Sequence, residues 1–181
     1  MLAPLLFVLA AASPGPTCKT GDARVEGLIT SYAQKTKSDE YCQARLYHTI
    51  DDLDGDGQDD FVLIFTLELK AGNYSAQYLA VFPSGKAWKP IVLKVGERGE
   101  RYVDQIDVEE GRTLVLSTEE YEDGDAMCCP SGDGELRYRL EKGQLKLVPN
   151  PDGDDTLPAD TNKPKPRRAA LSQNPKTFPV Q

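Results

Sequence analysis

Nine consecutive residues, Asp52-Leu53-Asp54-Gly55-Asp56-Gly57-Gln58-Asp59-Asp60, carry five carboxylates, and the apolar run Phe61-Val62-Leu63-Ile64-Phe65 follows without a break. A run of that length with no polar alternation reads as a strand covered on both faces. Five like charges at its entrance repel one another unless a cation offsets them. Gly55 and Gly57 give the backbone access to positive φ, which a tightly coiled loop needs. The segment therefore predicts a fixed turn between two strands, with acidic groups gathered on its inner side.

The spacing points to a particular cation. Carboxylates at every second residue of a coiled loop converge on one centre. Oxygen donors in that number suit calcium, which takes about six to eight oxygens at about 2.3–2.6 Å. Asp52, Asp54 and Asp56 are expected to contribute side chains and Gln58 its backbone carbonyl, with Asp60 closing the site directly or through water. The loop is not an EF-hand. Its twelfth position from Asp52 is Leu63, where an EF-hand carries a bidentate Glu, and a β run follows in place of a helix.

Aspartates at positions one, three, five and nine, leading straight into an apolar strand, resemble the FG-GAP/VCBS calcium loops of integrin-like β-propellers. The pattern Asp-x-Asp/Asn-Gly-Asp-Gly-x-x-Asp is met by Asp52, Asp54, Gly55, Asp56, Gly57 and Asp60. That resemblance implies calcium bound by Asp52, Asp54, Asp56, Gln58 and Asp60, and implies no activity. A propeller needs several blades, each with its own copy of the sequence unit, and this chain holds one such loop. A looser resemblance is to small exported bacterial proteins of the LppP/LprE kind. It rests on the same loop and on Cys128-Cys129-Pro130-Ser131 followed by a strand bearing Tyr138, and it carries no biochemical role with it.

Around the loop the chain reads as α+β. Val25, Leu28, Ile29 and Tyr32 recur at helical spacing with Asp22 as the N-cap, which predicts a helix over residues 22–35. Strands are predicted over residues 43–50, 60–69, 74–82, 91–95, 102–108, 113–117, 136–140 and 145–148. Short turns join them, including Glu109-Glu110-Gly111-Arg112 and Lys142-Gly143. Consecutive strands with short connections pair with their neighbours. The expected fold is one N-terminal helix packed on an antiparallel meander, forming a single domain over residues 21–148.

The ends differ in kind. Residues 1–12 form an apolar run closing on Ala10-Ala11-Ala12, a signal-peptide pattern, with residues 13–20 as a linker. Such a run is too short to span a membrane. Seven of the chain's thirteen prolines fall in residues 149–181, where the apolar residues show no period, so a disordered tail is expected there. That tail carries the basic patch Lys163-Pro164-Lys165-Pro166-Arg167-Arg168. Cys18, Cys42, Cys128 and Cys129 fit an oxidising compartment better than a zinc site, since no Cys-x-x-Cys pair exists and His48 is the single histidine. Adjacent Cys128 and Cys129 either close a ring with each other or each reach a distant partner.

A net charge of −8 argues against nucleic acid and anionic lipid as partners. Ser131 is not in a nucleophile elbow, and Asp104 and Asp107 do not share a strand face, so neither signals catalysis. The acidic stretch Glu119, Glu120, Glu122, Asp123 and Asp125 lacks the glycine spacing and reads as a solvated loop. The function expected is an exported, calcium-binding, disulfide-stabilised and non-enzymatic module that binds a protein or envelope component. The alternatives are a small extracytoplasmic hydrolase and a structural envelope subunit.

Overall fold

The computed structural model describes residues 21–50, 52–84, 89–109 and 111–151. The expected signal segment (1–12), the linker (13–20), Cys18 and the tail beyond residue 151 lie outside the described residues. Within them the protein is one α-helix, a short 3-10 helix at Cys42–Ala44 and a nine-stranded antiparallel sheet, and is mostly sheet. No described helix is long and apolar enough to cross a membrane.

Helix α1 spans Ala23–Thr36 and begins where the sequence predicts. The Asp22 carboxylate accepts the Arg24 N–H, so the N-cap is filled, and the helix stops at Lys37, whose left-handed backbone turns its N–H back onto Ala33 and Gln34. Strands β1 (Ser38–Glu40), β2 (Leu46–Ile50) and β3 (Asp60–Leu69) follow. Then come β4 (Ser75–Phe82), β5 (Ile91–Glu97), β6 (Arg101–Glu109), β7 (Thr113–Glu120), β8 (Gly132–Glu141) and β9 (Gln144–Leu147). From β3 to β9 each strand pairs with the next, which is the predicted meander. The departure is at its start. Both β1 and β2 pair with the same edge of β3, β1 beside Leu67 to Leu69 and β2 beside Asp60 to Ile64. Strand β1 has no apolar residue, and tertiary pairing rather than propensity makes it a strand.

Strand β3 separates two cores. Leu63, Phe65 and Leu67 face α1, where Val25 and Ile29 are buried against them together with Ala80 and Phe82 of β4. Tyr32 of the helix meets the Phe65 ring edge-on, and Phe65 stacks on Tyr78 with centroids 5.3 Å apart. Val62 and Ile64, on the opposite face, join Leu79, Val81, Val95, Val103, Ile106, Leu114, Leu116 and Leu136 in the larger core. Among the described residues no helix covers that face, and the sheet coils so that β6–β8 share this core with β3–β5. A β-bulge between Val103 and Gln105 puts Val103 and Ile106 on the same side although their spacing is odd.

The crease lies between β5 and β6, which share a single pair, Glu97 opposite Arg101. There a side chain replaces the ladder. The buried Gln77 amide reaches past β5, its Nε2 donating to Val103 O at 3.1 Å while its Oε1 accepts the Val103 N–H. Gly96 makes this approach possible, because a Cβ at that position would crowd Arg101 O and Gln77 Oε1.

A buried ion pair fixes the helix end of the molecule. The Arg45 side chain, 1% exposed, donates to Glu40 of β1 and Glu26 of α1. Removing one member of such a pair typically costs about 3–5 kcal/mol, since it strands the other charge. Nothing in the sequence marks Arg45 for that place.

Candidate metal centre

The aspartate loop connects β2 to β3, and the strands close on the pair Ile50–Asp60. Leu53 holds the loop down: it is 3% exposed and sits in the larger core. Gly55 and Gly57 adopt φ of 88° and 83°, the left-handed conformations that the sequence assigns to them. Between these points the backbone coils around Asp52. Its Oδ1 accepts the N–H groups of Gly55 and Asp56 at 2.5 and 2.9 Å, and its Oδ2 accepts that of Gly57 at 3.0 Å. Asp54 accepts the Asp56 N–H, and Asp56 accepts the Gln58 N–H.

Asp60 differs from the rest. It is the first residue of β3 and 1% exposed, and it points to the face of Val62 and Ile64. One of its oxygens accepts the Leu53 N–H at 2.8 Å, and the other accepts the Ser84 N–H at 2.8 Å, just beyond β4. A buried carboxylate is tolerated when donors surround it in this way. Asp60 thereby ties the aspartate loop to the far end of the β3–β4 pair.

Asp52, Asp54 and Asp60 bring carboxylate oxygens within 4.8 Å of one another. Oxygens bound to one calcium at about 2.3–2.6 Å lie no more than about 5 Å apart, so the spread fits a shared ion, and the donors are the hard oxygens that calcium takes. Of the other expected ligands, the Asp56 carboxylate is not in the converging group. It lies beside the Ser84 hydroxyl instead, at 3.5 Å. Gln58 enters the loop through its N–H.

The charge balance is uneven. Partial burial raises the Asp54 pKa; the Asp56 N–H opposes that, and the carboxylates of Asp60, Asp56 and Asp52 push it further up. For Asp52 burial acts the same way, but the N–H groups of Gly57 and Gly55, the Arg112 guanidinium and the Asp56 N–H outweigh it and hold the carboxyl below its usual range. Arg112 is the residue that sequence reasoning misses. It lies in the turn between β6 and β7 with φ of 63°, and its Nη2 reaches Asp52 Oδ2 at 3.3 Å. A lone Arg in a turn, 60 positions from its partner, leaves no trace in local sequence.

The second acidic stretch is organised from within. Asp125 accepts the N–H groups of Glu122 and Ser131 and the Ser131 hydroxyl, all at 2.8–2.9 Å. The Glu122 N–H and the Ser131 hydroxyl hold its carboxyl below the ordinary value. Within this loop Cys128 and Cys129 are bonded to each other, which settles one of the pairings the sequence leaves open. Cys42 is disulfide-bonded as well. His48 lies on β2 opposite Val62.

Comparison with known proteins places the chain in no group: no family model matches it, and neither a curated protein nor a solved structure does.

Proposed function

We propose that the chain is an exported calcium-binding module in which the ion clips β2, β3 and the end of β4 together. In this reading Asp52, Asp54 and Asp60 supply carboxylates, with Asp56 and the Gln58 carbonyl completing the shell once the loop closes on an ion. The observation that carries the proposal is the convergence of three carboxylates from a loop whose glycines and backbone N–H groups already hold its coil. Bonded cysteines at 42, 128 and 129 support an oxidising, extracytoplasmic setting. The module is non-enzymatic and holds a protein or cell-envelope component, and exposed Tyr41 and Tyr74 are suited to such contacts.

The test is thermal melting of the protein with calcium and with a chelator. A ligand at a hundred times its Kd adds about 2.7 kcal/mol, which raises the Tm by several degrees for a domain of this size. Asp54→Ala should lose the difference. Identical melting of the wild type in both solutions would overturn the proposal.

A further inference from the structure

Asp52 already accepts four hydrogen bonds, one of them from a charged group. A carboxylate offers about four lone-pair sites on its two oxygens. Gly55 and Asp56 donate to Oδ1, the Asp56 N–H being shared with Asp54, while Gly57 and Arg112 donate to Oδ2. Three of these donors are the loop's own backbone and give it its shape. The fourth is a guanidinium delivered from the opposite half of the coiled sheet, and at 3.3 Å it is the longest of the four contacts. The guanidinium also has a seat: Nη1 lies so close to Gly55 that a Cβ there would collide with it. A positive group from another element thus already stands at the acidic loop.

We propose that Arg112 is a tethered cation that competes with calcium for Asp52, an inference that rests on the calcium reading above. An ion at Asp52 meets the guanidinium charge at the same carboxylate, and of the four donors Arg112 is the one whose departure leaves the coil intact. Calcium entry then releases the β6–β7 turn from the loop, and calcium loss docks it again. The affinity of the site is set from β6–β7, and the ion's presence is reported there. Arg112 acts as a specificity element: a divalent ion displaces it by bringing two charges to a cluster where the guanidinium brings one.

Calorimetric titration of the full chain with calcium chloride tests this on the wild type, Arg112→Gln and Arg112→Lys. Exposed ion pairs are weak, and the Arg112 side chain is 54% exposed. Arg112→Gln is therefore expected to bind calcium about two- to fivefold more tightly, with Arg112→Lys close to wild type because the charge remains. Phenylglyoxal labelling of Arg112 in the wild type should rise when calcium is added, a readout that needs no variant. Unchanged or weaker binding by Arg112→Gln, or labelling that does not rise, overturns this inference and leaves the calcium reading standing. Failure of wild type and variants alike to bind calcium overturns both.

Discussion

Two loops of this protein are stitched by aspartates, and they solve the same problem differently. In residues 121–131 a single carboxylate, Asp125, gathers two N–H groups and a hydroxyl, and the adjacent cysteines close a covalent ring beside it. These bonds all lie within the loop. In residues 52–60 the N–H donors are also present, but they are divided among Asp52, Asp54 and Asp60, whose carboxylates converge within 4.8 Å of one another. Among the described residues, a positive charge reaches this cluster from Arg112. Like charges held this close repel one another, and the proposed calcium ion would offset them.

The largest expected effect separates the two loops by burial. Asp60→Ala leaves the Leu53 and Ser84 N–H groups without their charged acceptor at the edge of the core. It should cost about 3 kcal/mol in a denaturant titration run in chelator, by the usual value of hydrogen bonds to charged groups. Asp125→Ala, on an exposed loop, should cost far less. Equal losses would erase the distinction drawn between buried and exposed stitching.

The second effect sharpens the covalent side. Replacing both Cys128 and Cys129 by Ser removes a bridge between sequence neighbours, which constrains the unfolded chain very little. The loss should fall well below the roughly 2–5 kcal/mol of a native disulfide in a small secreted domain, because that figure depends on closing a long loop. A large loss would show that the ring, not Asp125, organises residues 121–131.

The smallest effect concerns acid. The Asp125 carboxyl is held below its ordinary value in the folded protein, so its contribution is fully present above that value and disappears as the pH falls through the lowered one. Melting of the wild type and Asp125→Asn should differ modestly near neutrality and converge toward low pH. A difference that persists undiminished in acid would mean that the carboxylate charge is not what holds Ser131 and Glu122.

How far the sequence foretold these loops follows from the range of the forces involved. Asp22, Val25 and Ile29 announce α1 because capping and helical period are local, and the run at Phe61–Phe65 announces β3 because burial on both faces leaves no alternation. The coil of the aspartate loop was legible for the same reason, since Gly55, Gly57 and the aspartates act within a few residues. What could not be read depends on partners far along the chain. Strand β1 is polar and exists by pairing with β3, Arg45 is buried because Glu26 and Glu40 meet around it, and Arg112 reaches Asp52 only after the sheet has coiled. The bulge at Val103–Gln105 changes which residues face inward, and no alternation in β6 declares it.

The amide of Gln77 has a further consequence. By accepting from and donating to Val103, it gives the second residue past Arg101 the protection that a neighbouring strand would otherwise provide. Along the spine Gln77 therefore joins the Glu97–Arg101 pair and the Ser75–Tyr102 hydrogen bond in tying the two leaves, and its removal would leave the ladder within each leaf intact. In hydrogen-exchange terms, the Val103 amide proton should exchange as slowly as those of the central strands while Gln77 is in place. In Gln77→Ala it should become a fast reporter of the spine opening, long before either leaf unfolds.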